Sequence, residues 1–188
     1  MVEGGTEEEF VNRVIAPHLW ARGVDPKPIL MGGNVTVDRL ASEIAHLLWS
    51  FERVTSLVDF YGFRDKGDAP RTELQELVHD KVDRKIAGSY DRSRAFPYVQ
   101  LHEFESLLFS DVTTFGELLN ARSDLVGSLQ AVRAKFETPE DINDDVKTHP
   151  SRRIEDLMPA YQKAVDGPFL ADRMGLSTIR AACPRFDQ

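Results

Sequence analysis

A single cysteine, Cys183, stands among 188 residues, which excludes an internal disulfide framework and any zinc site built from several thiolates. No segment comes near the roughly 18 consecutive apolar residues that span a bilayer, and no basic segment followed by an apolar stretch opens the chain. Neither membrane insertion nor secretion is therefore expected, and a reducing cytoplasm is the expected home. Basic residues are also in short supply. The 23 Lys and Arg against 31 Asp and Glu give a net charge of −8, which repels a polyanion unless basic side chains cluster locally, a divalent cation offsets the acids, or a partner protein supplies a basic groove. No nucleophile elbow, P-loop or dinucleotide fingerprint occurs, so hydride transfer and ordinary ATP hydrolysis lack support.

The composition is that of an ordinary folded globule, 41% apolar and 29% charged. Its length suits one substantial core, so a single domain over residues 1–188 is expected, with a βα core over 1–110 and a mainly helical extension over 111–188. Met1, Val2 and Glu3 read as a strand end that passes through Gly4 and Gly5 into a helix running to about Ala21. Thr6 and Glu9 are placed there for a capping box, and Pro17 for a kink. Lys27 to Met31 reads as a second strand and Val37 to Leu48 as a second helix. Val54 to Asp59 gives a third strand, Leu74 to Val82 a third helix, and Phe96 to Leu101 a fourth strand. This alternation is the pattern of an α/β fold with a mostly parallel sheet of about four strands flanked by helices.

Ligands of open parallel sheets bind outside the carboxyl ends of the strands, where this chain places Glu3, Asp59 and the Glu103/Glu105 pair. Carboxylates that converge on one edge repel each other unless a hard cation lies between them, and oxygen-only sets suit magnesium or manganese. Glu8 and Glu9 lie in a first helical turn, where the helix dipole is reason enough for an acid. Glu7 comes four residues after Glu3 across a two-glycine turn, and both the dipole and a metal fit it. His102, Glu103 and Glu105 fit either metal or acid/base work, or a decorated helix start. Ser151, Arg152 and Arg153, after Pro150, form a candidate phosphate contact, or else a helix N-cap with two solvated arginines. The acids from Asp141 to Asp145 lack the glycine and closing glutamate of an EF-hand loop and read as a solvated loop.

Taken together, Val2-Glu3-Gly4-Gly5-Thr6-Glu7-Glu8, Leu57-Val58-Asp59-Phe60-Tyr61-Gly62 and Leu101-His102-Glu103-Phe104-Glu105 onward to Asp111 resemble the DUF4276 family. Ile142-Asn143-Asp144, Pro150-Ser151-Arg152-Arg153, Gly175 to Arg180 and Cys183-Pro184 extend the resemblance over nearly the whole chain. That family is similar to Toprim (topoisomerase–primase) domains, including the nuclease domains of the overcoming-lysogenisation-defect family and of ATPase-partnered bacterial anti-phage systems. The resemblance implies a Toprim-like, Rossmann-like fold and a nuclease cleaving phosphodiester bonds of DNA or RNA with Mg2+ or Mn2+. It also implies a partner ATPase of the ABC or AAA type. A glutamate ends the first Toprim strand and an Asp-x-Asp ends a later one. Glu3 matches the first and Asp59 opens the second, whereas Tyr61 stands at the second aspartate position. On this reading Glu3, Glu7, Asp59 and Glu105 are the metal ligands, and Glu3, Asp59, His102, Glu103 and Glu105 the catalytic set. Ser151, Arg152 and Arg153 are the phosphate contacts. A non-catalytic Toprim-like interaction module and a phosphohydrolase of small phosphate esters are the alternatives.

Overall fold

The computed structural model describes residues 1–65, 67, 70–86, 90–101, 103–142 and 148–188. His102, and Asn143 and Asp144 with the rest of 143–147, therefore lie outside the described residues. Along the described chain run α1 (Gly5–Phe10), a π-helical segment (Val11–Ile15), α2 (Ala16–Trp20), α3 (Val37–Leu47), β1 (Val54–Thr55), β2 (Val58–Asp59), α4 (Arg71–Lys85), β3 (Ala95–Phe96) and β4 (Val99–Gln100). A 3-10 helix (Phe104–Ser110) leads into α5 (Thr113–Leu119), α6 (Ser123–Arg133), α7 (Pro150–Leu157), α8 (Lys163–Met174) and α9 (Leu176–Ala182). The chain is a mixed α/β protein of two compact units: Met1–Gly4 with Ile29–Leu101, and Gly5–Pro28 with 102–188. No described helix is long and apolar enough to cross a membrane.

In the first unit all strand pairing among the described residues is parallel. β1 pairs with β3 and β2 with β4, as two short two-stranded sheets. Val2 adds isolated parallel bridges to Leu30 on one side and Leu57 on the other. The expected second and fourth strands are thus reduced, the second to the Leu30 bridge and the fourth to two dipeptides. Pro97 has no N–H to give a ladder and stands between those dipeptides. α3 begins where expected because Thr36, extended at φ −132°, accepts the Arg39 amide at 3.1 Å. Asp65 adds to this start by accepting the Val37 amide at 3.0 Å. Leu40, Ala41 and Ile44 of α3 and Leu74, Val78 and Val82 of α4 are buried, and the two helices pack on each other beside Val54, Val58 and Val99.

In the second unit the helix expected from Thr6 to Ala21 forms with two differences. It starts at Gly5, so Thr6 is a buried residue of the helix rather than the residue before it, and Glu9 pairs with Arg13 at 2.8 Å. Its middle widens to a π-helix, where the Ala16 amide bonds Val11. Pro17 lies one residue beyond, inside the first turn of α2, and its missing N–H makes a regular α-helical ladder impossible across that point. Phe10 packs edge-on against Phe104 at 5.2 Å, α1 lies on α8, and Leu107, Phe115 and Leu170 are buried in sequence-distant elements of the same unit. Burial pushes the Cys183 thiol up to about 12, which makes it a packing residue beside Ser110.

Leu40 is fully buried and Leu77, on α4, is 39% exposed. Leu40→Ala should cost roughly 2–5 kcal/mol and Leu77→Ala about 1 kcal/mol or less, read from urea unfolding midpoints.

Candidate functional site

Glu3 reaches its place through its own backbone. The Val2 amide donates to Ile29 at 2.9 Å, the Met31 amide to Val2 at 2.9 Å, and the Leu57 amide to Met1 at 2.8 Å. The Glu3 carbonyl then accepts from the amides of Gly32 at 3.1 Å and Gly33 at 3.3 Å. Both glycines have positive φ, 70° and 75°, which lets the chain turn back over that carbonyl. One residue of parallel register carries β2 to its end at Asp59, whose own amide donates to Glu3 Oε2 at 3.3 Å. The structure thus brings Glu3 and Asp59 together at adjacent strand ends.

Gly62 closes this arrangement. After Asp59 the chain enters a 3-10 turn, Phe60–Gly62, and the Glu3 carboxylate fills the space that a Cβ at position 62 would occupy. Across the sheet Asp59 pairs with Gln100, a fully buried amide that accepts from the Tyr98 hydroxyl at 2.9 Å and donates to the Leu101 carbonyl at 3.2 Å. Sequence pattern alone assigns no role to Gln100 or Gly62. The one signal for Gln100 is a polar residue near the end of an otherwise apolar strand. Glu7, the third expected ligand, opens α1 in the other unit, where it is buried.

The second unit holds a separate set of acids. Glu103 Oε2 accepts the Ser151 amide at 3.0 Å and lies 3.1 Å from His149 Nδ1, while Ser151 Oγ lies 3.0 Å from the same nitrogen. The helix cap read at Ser151 as the alternative to a phosphate contact is instead His149, whose Nδ1 accepts the Arg152 amide at 3.3 Å with Pro150 in the first turn. Proline fits there because the first helical N–H has no intrahelical partner to lose. Ser151 is buried rather than solvent-facing, Arg152 pairs with Asp156 at 2.9 Å, and Arg153 donates to the Thr148 carbonyl and lies over the Phe136 ring. Neither His149 nor Lys163 is marked in the sequence, because each acts on an acid more than 40 residues away.

Glu105 is fully buried with Lys163 Nζ at 2.8 Å, and its Oε1 has no hydrogen-bond donor among the described residues. Burial raises the Glu105 carboxyl above its ordinary range, and the Lys163 charge offsets only part of that. Glu103 goes the other way. Burial raises it too, but the Ser151 amide, the Lys163 charge and the Ser151 hydroxyl together outweigh burial and hold it below the usual value. Two glutamates two residues apart thus titrate on opposite sides of 4.5. The nearby Tyr161 hydroxyl is also pushed up, by burial first and the Glu105 charge second.

The model of the family described as Domain of unknown function (DUF4276) matches residues 2–188. No curated protein and no solved structure gives a match.

Two outcomes check this geometry. The lowered Glu103 contributes stability that is present above 4.5 and lost as pH falls through its folded value, whereas the raised Glu105 contributes stability that is present below 4.5 and lost as pH rises through its folded value. Relative to wild type, Glu105→Gln should therefore gain stability as pH rises from 4.5, and Glu103→Gln should lose less as pH falls below it, both read from denaturant unfolding against pH. Gly62→Ala should displace the Glu3 carboxylate with a stability change of about 1 kcal/mol or less, since a flexible side chain can move aside. Carboxylate carbon-13 NMR shifts of Glu3 and an unfolding curve, compared with wild type, read the two effects separately.

Proposed function

The chain belongs to the DUF4276 family, and on that premise we propose that it is a Toprim-like, Mg2+- or Mn2+-dependent nuclease cleaving phosphodiester bonds of DNA or RNA. We place it in the cytoplasm, working with an ABC- or AAA-type partner ATPase in anti-phage defence. The observation that carries the reading is the joining of Glu3 and Asp59 at the ends of neighbouring parallel segments, with the Asp59 amide on the Glu3 carboxylate. The Toprim-like part of the proposal draws support from the run of parallel pairings, Leu30 with Val2, Val2 with Leu57, and Val58 with Val99. These are the neighbours that a four-stranded Rossmann-like sheet would have.

Magnesium fits this donor set. It is commonly bound through one or two carboxylates, keeps several waters, and takes substrate phosphate oxygens in its remaining positions. Glu3 and Asp59 supply two carboxylates on one edge, and two anions on one edge are stabilised by a cation between them. When bound, the ion supplies Lewis-acid stabilisation of the charge that develops on phosphoryl oxygens. The chain's own groups fix the donors. The Asp59 amide and the bare Cα of Gly62 hold the Glu3 carboxylate against the turn, and Gln100 backs Asp59 from the next strand. Glu7, Glu103 and Glu105, with the undescribed His102, are kept as proposed functional residues of the other unit, Glu105 as a ligand or a base. Ser151, Arg152 and Arg153 are the proposed phosphate contacts.

The net charge of −8 favours one second reading, a Toprim-like module that works through protein contacts without catalysis. Purified protein should bind Mn2+ in calorimetric titration and nick oligonucleotides with Mn2+ present. Glu3→Ala and Asp59→Ala should each lower cleavage by about a hundredfold or more, the scale of losing a principal electrostatic contact. Equal Mn2+ binding by wild type and both variants contradicts the metal site, and Mn2+ binding without cleavage favours the non-catalytic module.

A further inference from the structure

We infer that Tyr61 is a stacking platform for an unpaired nucleobase, so that the substrate class brought to Glu3 and Asp59 is single-stranded nucleic acid; the inference rests on the nuclease reading of that edge.

Tyr61 is the middle residue of the 3-10 turn Phe60–Gly62 that starts immediately after Asp59. The turn lies against the Glu3 carboxylate at both ends. The Asp59 amide bonds Glu3 Oε2 at its entrance, and at its exit Gly62 makes room for the same carboxylate. Phe63, the next residue, is 3% exposed and belongs to the core, whereas Tyr61 keeps half its surface in solvent. The Tyr61 ring is oriented as well as exposed. Phe60 meets it edge to face, with centroids 5.5 Å apart and planes at 76°. A half-exposed aromatic ring held this way beside two acids does little for the core, and a polar residue would be easier to leave in water.

The chemistry of the ligand is set by charge and by access to its bases. A chain of net charge −8 gains little from overall phosphate neutralisation, so contacts that do not depend on cationic side chains carry more of the binding. Stacking is such a contact, and each base stacked on an aromatic ring contributes on the order of tenfold in affinity or more. A base in a duplex is already stacked on both faces, whereas a base in a single strand offers a free face next to its phosphodiester. The residue at position 61 thus selects unpaired strands and sets a phosphate within reach of the acids that precede it.

The test is fluorescence anisotropy of full-length protein with fluorescein-labelled oligo-dT, oligo-U and a blunt duplex, run beside cleavage assays in Mn2+. Wild type should bind at least one single strand about tenfold more tightly than the duplex, with a shallow dependence on salt. Tyr61→Ala should weaken single-strand binding, and raise KM for cleavage, by about tenfold with kcat within about twofold, and Tyr61→Phe should restore both. Circular dichroism should be unchanged in both variants, since the side chain is exposed. Equal binding by wild type and Tyr61→Ala, equal or tighter binding to duplex, or no single-strand binding at all overturns the inference. Single-strand binding that depends on Tyr61 without any cleavage leaves the inference standing and removes the nuclease reading, so the two fail separately.

Discussion

Val2 is bonded through its backbone on one side to the segment Ile29–Met31, and the adjoining Met1 carbonyl accepts from Leu57 on the other. A peptide unit buried between two parallel neighbours must satisfy both its amide and its carbonyl, and parallel pairing fixes the register at which it does so. Because the register is fixed, the next residue, Glu3, leaves the paired region where β2 ends at Asp59. Slipping either segment by one residue would turn the carboxylate to the opposite face. The Gly32–Gly33 turn, the Asp59 amide and the Gly62 contact all rest on that pairing.

The acids at Glu3 and those at Glu103 and Glu105 differ in how they are held. At Glu3 a backbone amide and a glycine orient the acid against the turn that starts at Asp59. At Glu103 and Glu105 the partners are Ser151 and Lys163, which hold one acid as an anion and leave the other raised by burial. An acid held on a strand edge beside a second strand-end acid is the kind of donor set that the proposed hard cation would stabilise. This contrast is why the first pair carries the functional reading.

Several elements were legible in the sequence because their signals are local. The apolar positions from Val37 to Leu48 mark α3, and Leu74, Val78 and Val82 recur at helical spacing in α4. Glu3 and Asp59 could be placed because a double glycine follows the first and the second closes an apolar β-rich run. Other features depend on distant partners and left no such mark. His149 caps α7 in place of Ser151 because Glu103, 46 residues before His149, takes the Ser151 amide. The π-helix at Val11–Ile15 depends on how the backbone absorbs Pro17, which periodicity reports only as a kink. Strands of two residues fall below the length at which alternation can be read at all.

A Toprim-like metal edge makes a demand that one measurement can meet directly. Anomalous diffraction from crystals grown with manganese should give a peak within roughly 2.0–2.3 Å of one carboxylate oxygen each from Glu3 and Asp59. A peak at other carboxylates with none at this pair, or none at all at a concentration that saturates calorimetric binding, would contradict the account.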